Sequence, residues 1–276
     1  MSSKNALSGL RIAVIGCGNM GQALIRGLVE RSVYPQRITV FDIDPKKVQA
    51  ARKIAPVKAA KSNRQCVSLA DVVILAVKPQ ILPDVAAEIG TGLGRDALVL
   101  SIAAGVTIGS IEGWLKVPAA IVRAMPNMPA LSGAGMSAFA LGRHATGKHR
   151  RIAESVLASF GEIVQVPEKA LDLVTAVSGS GPAYFFLLAE KLIEAAYELG
   201  MKADVAKKLV YQTAFGSGKV MLETGEDPDV LIGRVASKGG TTEAALGVFR
   251  KLGFGKVVQD AVKAANRRSR ELREGK

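Results

Sequence analysis

Two cysteines, two histidines and one tryptophan are all that 276 residues hold of those types. Cys17 and Cys66 are too few for a disulfide framework or a cysteine-based metal set, so no metal site is expected. His144 and His149 share the polar stretch GRHATGKHR and read as surface residues, which leaves no His–Asp pair for nucleophilic catalysis. Aromatics are only 5% of the chain, so its core is aliphatic. The net charge is +13, yet the densest basic run, 267–273, has no aromatic residue interleaved with it to stack a base. That run reads as a solvated helix face, and nucleic acid is not an expected partner, although a basic protein still attracts small anions. Long apolar runs are missing too: 121–142 comes nearest, and Pro126, Pro129, Gly133 and Gly135 interrupt it. The first ten residues, MSSKNALSGL, lack the apolar core of a signal peptide. A cytoplasmic protein with no membrane contact is expected, in keeping with two cysteines and no disulfide set.

Glycine is plentiful instead, at 29 residues. The first cluster lies in a regular alternation. Short apolar runs at 10–15, 37–41, 57–59, 71–77, 97–102 and 120–125 read as strands, and 20–31, 45–54, 83–89 and 108–115 as helices. Continuous apolar strands separated by helices predict a parallel sheet covered on both faces. After Pro167 the strand signals stop, and helical patterns follow at 182–199, 203–223, 228–235, 241–252 and 255–273. The expected organisation is a dinucleotide-binding domain over 1–166 and a helical substrate-binding and dimerisation domain over 167–276.

Gly16-Cys17-Gly18-Asn19-Met20-Gly21 follows a strand and opens a helix, the setting that the G-x-G-x-x-G fingerprint requires. Gly16 permits the tight turn, Gly18 lets a pyrophosphate approach the backbone, and Gly21 lets helix pack on strand. Asp42 ends the second strand, 21 residues past Gly21. A carboxylate there accepts from a ribose 2′-hydroxyl and repels a 2′-phosphate, a lean towards NADH over NADPH. Two features oppose it: Lys46 and Lys47 stand nearby, and Asp42 has an alternative role as the cap of the next helix. Ala76, Lys78, Pro79, the segment 103–105 and Asn127 follow strands, where ligands of such sheets bind.

The helical part has two further glycine-rich helix starts, Ser178-Gly179-Ser180-Gly181-Pro182 and Ser237-Lys238-Gly239-Gly240-Thr241-Thr242-Glu243. Exposed N–H groups at such ends form a nest for a carboxylate. Gly240 or Thr241 caps the second helix, with Glu243 near a capping-box position. The helix after Pro182 is apolar nearly all round (Tyr184, Phe185, Phe186, Leu187, Leu188, Leu192, Ile193, Tyr197), so a second chain is expected to cover it.

With these loops in place the chain resembles the pyrroline-5-carboxylate reductases. The resemblance rests on IGCGNMGQAL, LAVKPQ, SIAAGVTI, IVRAMPNMPAL, TAVSGSGPAYFF, LETGEDP and SKGGTTEAAL, in that order over nearly the whole sequence. It implies reduction of the cyclic imine 1-pyrroline-5-carboxylate to L-proline with NADH or NADPH, the last step of proline biosynthesis. It further implies an α/β fold, with a Rossmann-like N-terminal domain and an all-helical C-terminal domain. Homodimers of intertwined helices, assembling into larger rings, are implied as well. Cofactor contacts are implied at Gly16, Gly18, Asn19, Met20, Gly21, Asn63, Ala76, Lys78, Pro79 and Asn127. The substrate carboxylate is implied at Ser237 and the N–H groups of Thr241 and Thr242, with Ser178 and Gly240 in the same two loops. The Thr242 hydroxyl would face the imine. In two places the chain departs from the family's usual pattern: Lys238 stands for a proline and Met128 for a threonine.

Overall fold

The structure is a computed structural model and describes residues 6–274; residues 1–5, where the segment read as lacking a signal core begins, lie outside the described residues. The first half alternates as its apolar runs require: β1 (Ile12–Ile15), α1 (Asn19–Glu30), β2 (Ile38–Phe41), α2 (Pro45–Ile54), β3 (Lys58–Ala59), α3 (Asn63–Val67), β4 (Val72–Leu75), α4 (Leu82–Ile89), β5 (Leu98–Ser101), α5 (Ile108–Leu115) and β6 (Ala120–Met125). Three elements that the sequence did not announce follow: β7 (Gly135–Leu141), α6 (Gly147–Leu157) and β8 (Gly161–Gln165).

The eight strands form one sheet in the order β3-β2-β1-β4-β5-β6-β7-β8. Sheet growth reverses direction between β1 and β4, so the crevice at their carboxyl ends is the topological switch point. Pairing is parallel, with Ile12 opposite Ile38 on one side and Val72 on the other. The β6–β7 pair is antiparallel, which corrects the expectation of a wholly parallel sheet. Strand residues alternate between two apolar layers. Ile12, Val14, Val72 and Ile74 join Leu24 and Leu28 on one face, while Ala13, Ile15, Val73 and Leu75 join Leu82 and Ile111 on the other. A strand apolar at every position is thus buried on both sides.

His149 was expected on the surface and is buried instead. It is the N3 residue of α6, and its Nδ1 accepts the Thr146 N–H at 3.1 Å, as the glutamate of a capping box would.

The remainder is helical: α7 (Leu171–Val174), a π-helical turn at Thr175–Gly179, α8 (Gly181–Glu198), α9 (Ala203–Thr224), α10 (Pro228–Val235), α11 (Thr241–Lys251) and α12 (Phe254–Arg273). By contacts the chain separates into two units, 1–179 with 265–276, and 180–264. The first unit therefore extends beyond the 166/167 cut expected from sequence texture, and two polar clusters account for this. Glu168 Oε1 lies 3.2 Å from Nη1 of Arg123, a buried cation on β6, and also accepts the Ile108 N–H at 2.7 Å. Asp172, also buried, accepts from Ser269 Oγ at 3.0 Å and from Arg273 Nη1 at 2.6 Å. Glu168 is tied to the sheet, and the last turns of α12 are tied to α7, by charges that a hydropathy pattern does not register.

In the second unit α8 packs along α9. Among the described residues of this unit Ala206 is the one fully buried apolar side chain. Phe185, Phe186, Leu187 and Tyr197 of α8 are each more than half exposed, and Phe186, Ile193 and Tyr211 line an open groove of about 650 Å³. The helical stretch Glu168–Glu198 is long and apolar enough, by length and composition, to cross a membrane. An exposed apolar area of this kind marks a contact surface.

Candidate functional site

The turn after β1 is shaped by four hydrogen bonds and three glycines. The Gly16 N–H donates to the Phe41 carbonyl at 2.8 Å, and Gly16 itself has φ +97°. Gln22 donates its side-chain N–H to the Cys17 carbonyl at 2.8 Å. Asp42 accepts the Cys17 N–H at 2.8 Å and the Asp44 N–H at 2.9 Å, one on each carboxylate oxygen. A Cβ on Gly16 would lie 2.6 Å from the Ala76 carbonyl oxygen, and one on Gly21 would lie 2.1 Å from the Gly16 carbonyl oxygen. Gly18 is different: a Cβ there would meet nothing within 4 Å.

Gly18 is the N-cap of α1, with no side-chain cap and no acidic residue in the first helical turn. Helix N-terminal N–H groups without an internal acceptor, beside a glycine that faces open space, suit a pyrophosphate. These residues fit a dinucleotide.

Asp42 does not cap α2. Asp44 does so, its Oδ1 accepting the Lys46 N–H at 2.9 Å. Each Asp42 oxygen keeps lone-pair capacity after one backbone bond, so accepting from a ribose hydroxyl is compatible with its role in the turn. Cys17 and Cys66 are both buried, and burial pushes each thiol up to about 12, which makes them packing residues rather than nucleophiles.

Ala76 abuts the glycine turn, with its N–H donating to the Ile15 carbonyl at 2.8 Å, and exposed Lys78 precedes Pro79 at the next short turn. Asn63, the first residue of α3, donates to Glu88 Oε2 at 2.7 Å, so Glu88 fixes its amide. The segment expected to border a cofactor at 103–105 packs against α12, since a Cβ on Gly105 would lie 3.6 Å from Leu272 Cβ.

Asn127 and Ser178 meet, although 51 residues separate them. The Asn127 side-chain N–H₂ lies 3.2 Å from the Ser178 carbonyl and 3.3 Å from its Oγ, while Oδ1 accepts the Met136 N–H at 2.8 Å. Both ends of this amide are engaged within the protein, and it secures the π-helical turn Thr175–Gly179. Insertions of this kind in helices occur often at functional sites.

In the second unit Ser237-Lys238-Gly239-Gly240 forms a β-turn closed by the Gly240 N–H to the Ser237 carbonyl at 3.0 Å. Gly239 has φ +72° and Lys238 does not have a positive φ, which makes the turn type II. Gly240, not Thr241, is the N-cap of α11. Thr241 and Thr242 open the helix, and their N–H groups have no acceptor among the described residues. Neither Gln22 nor Glu88 was singled out in the sequence. A glutamine one position beyond the last fingerprint glycine was the available signal for Gln22; Glu88 gave none.

Comparison with known proteins agrees with this geometry. Residues 168–272 match the family described as pyrroline-5-carboxylate reductase dimerisation, and residues 11–105 match that described as NADP oxidoreductase, coenzyme F420-dependent. The pyrroline-5-carboxylate reductase of Pseudomonas aeruginosa is 41% identical over 268 residues, covering 96% of this chain and 97% of the relative. That of Escherichia coli is 39% identical over 263 residues, covering 95% and 98%. Among solved structures, a pyrroline-5-carboxylate reductase from Coxiella burnetii superposes with a TM-score of 0.90 at 37% identity, over 95% of this chain and 98% of that one. The Plasmodium falciparum pyrroline carboxylate reductase with NADP bound superposes at 0.85 and 29% identity, over 96% and 98%.

Proposed function

The chain belongs to the pyrroline-5-carboxylate reductase family, and on that premise we propose which of its residues carry the reaction. The protein is an NAD(P)H-dependent oxidoreductase that reduces 1-pyrroline-5-carboxylate to L-proline in proline biosynthesis. The open glycine turn at the switch point is the observation that carries the assignment of its cofactor half.

Gly16, Gly18, Asn19, Met20 and Gly21 would hold the pyrophosphate, with Asn63, Ala76, Lys78, Pro79 and Asn127 around the rest of the dinucleotide. Asp42 would accept from the adenosine ribose, which keeps the lean towards NADH. Bound NAD(P)H supplies the hydride. Ser237, Gly240 and the N–H groups of Thr241 and Thr242 would hold the substrate carboxylate, with Ser178 in the second glycine-rich loop. The Thr242 hydroxyl would orient the imine nitrogen. A cyclic imine can take its proton from water, so the site needs no strong general acid, and its chemistry is mainly orientation, worth about 7–11 kcal/mol of barrier in well-aligned systems. The functional division follows 1–166 and 167–276, supported by a dimerisation match that begins at residue 168.

The test is cofactor oxidation with pyrroline-5-carboxylate, run with NADH and NADPH in parallel. Proline formation is expected with both, and their rate ratio tests Asp42. Thr242→Ala is expected to keep cofactor affinity and lose turnover tenfold or more, about 1.4 kcal/mol; full turnover would remove Thr242 from the mechanism.

The chain is an oligomer through its dimerisation domain. A homodimer built on α8 and α9, with dimers assembling into rings, is supported by a second unit that buries almost no apolar side chain of its own. The same partner would cover the apolar stretch Glu168–Glu198. Sedimentation is expected to show dimers or multiples of dimers at micromolar concentration, and a stable monomer would refute the arrangement. A cytoplasmic location, the reading carried by two buried and unpaired thiols, completes the proposal.

A further inference from the structure

We propose that Glu243 is a positioning residue for the substrate carboxylate, acting through the type II turn rather than by touching substrate. This rests on the reading of Ser237, Thr241 and Thr242 as the carboxylate nest.

The turn at 237–240 presents the first N–H groups of α11, so its conformation decides where those donors point. In a type II turn the second position favours proline, which fixes φ near −65° before the turn forms. Lys238 occupies that position here and leaves φ free. The third position is Gly239, with φ +72°, a residue type with no Cβ to restrict its backbone. Two unrestrained residues thus sit where the substrate anion must be received. Such a turn loses conformational freedom on binding, and that loss is taken from affinity.

Glu243 supplies the missing restraint. Its Oε2 accepts the Gly239 N–H at 2.6 Å, a short charge-assisted bond that reaches back from the first turn of α11 to the outer residue of the loop. The Gly240 N–H is already used by the Ser237 carbonyl at 3.0 Å. Gly239 and Gly240 are therefore both anchored, and Thr241 and Thr242 remain with donors to offer. The carboxylate also sits at the positive end of the helix, where it is stabilised. Its bond goes to a residue outside the helix, so it does not compete for the helical N–H groups that the substrate needs. Carboxylates at N3 that reach back usually satisfy the N-cap N–H; here the bond falls one residue earlier, on the flexible glycine.

A residue acting this way changes substrate affinity and leaves the hydride step alone. Glu243→Ala is expected to raise KM for pyrroline-5-carboxylate about tenfold, about 1.4 kcal/mol, with kcat within about twofold and KM for NADPH unchanged. Glu243→Gln keeps an acceptor oxygen and is expected to recover most of the loss. Adding Lys238→Pro to Glu243→Ala is expected to restore KM, because proline pre-sets the same turn.

Failure of that double variant to restore KM would overturn the proposal, since the effect would not pass through the turn. A normal KM in Glu243→Ala, with KM raised in Ser237→Ala, would overturn it while leaving the carboxylate nest in place. A normal KM in both would overturn the nest reading itself.

Discussion

Replacement of Glu168 by alanine is expected to destabilise the protein by about 3 kcal/mol, the low end of the range for breaking a buried ion pair. The reason lies with its partner. Arg123 is on β6 inside the sheet and is only 3% exposed, and Glu168 Oε1, 3.2 Å away, is the carboxylate that meets it. Without Glu168 a buried guanidinium is left without its carboxylate on one face of the sheet. The Ile108 N–H at the start of α5 loses its acceptor as well. Glu168 is about one-third exposed, so water can enter beside the vacated side chain, and this places the estimate at the low end. The measurement is the urea midpoint of both proteins at equal protomer concentration, because stability of an oligomer depends on concentration. A second substitution separates the charge from the packing: Arg123→Met in the Glu168→Ala background is expected to regain about half of the loss, since it removes the unpaired cation and keeps volume. If Glu168→Ala alone leaves the midpoint in place, Arg123 is solvated by another route and the pair does not anchor the segment.

This pair also shows where the sequence was readable and where it was not. The strands β1, β4, β5 and β6 were legible because each is a largely apolar run bounded by glycine, proline or charge, and burial on both faces requires such a run. The glycine fingerprint was legible because its function is local, with six residues setting the turn, the cap and the close packing. The elements β7 and β8 were not. Gly135 and Gly161 begin them and read as breakers, yet they lie directly opposite one another in the sheet. A Cβ on Gly161 would lie 1.9 Å from the Gly135 carbonyl oxygen, and one on Gly135 would lie 2.8 Å from Ala130 and 2.9 Å from the Phe160 carbonyl oxygen, so neither position has room for a side chain. Glycine there is a packing requirement that a one-dimensional pattern records as a loop.

The polar contacts that tie distant segments together were hidden for a related reason. Asn127 with Ser178, Asn63 with Glu88, and Asp172 with Ser269 and Arg273 are contacts across 25 to 101 residues. Nothing in the neighbourhood of either partner predicts the other. Asn127 was legible as a candidate site residue from its place after β6, but its hold on the π-helical turn came from the fold alone. His149 is the reverse case. Its polar surroundings suggested solvent, while its spacing of three from Thr146 carried the true signal, that of a capping box closed by an imidazole instead of a carboxylate.

The glycine turn carries the second large expectation, and it separates two kinds of loss. Gly21→Ala is expected to lower cofactor affinity a hundredfold, about 2.7 kcal/mol, and to lower thermal stability as well. Its Cβ would sit 2.1 Å from the Gly16 carbonyl oxygen, a backbone atom that cannot rotate aside. The turn would open, and the bonds that Gln22 makes to the Cys17 carbonyl and Asp42 to the Cys17 N–H would be displaced with it. Gly18→Ala differs in kind. Its backbone is unstrained at φ −67° and its Cβ would enter open space, so the fold is expected to be untouched. Affinity should fall all the same, because the methyl group would occupy the space through which a pyrophosphate reaches the N–H groups of α1. Titration of cofactor fluorescence and a melting curve on both variants make the comparison. Both should bind poorly, and only Gly21→Ala should melt early. Normal binding by Gly18→Ala would mean that the pyrophosphate does not approach at that glycine, and the phosphate site would have to be sought elsewhere along the carboxyl ends of β1 and β4.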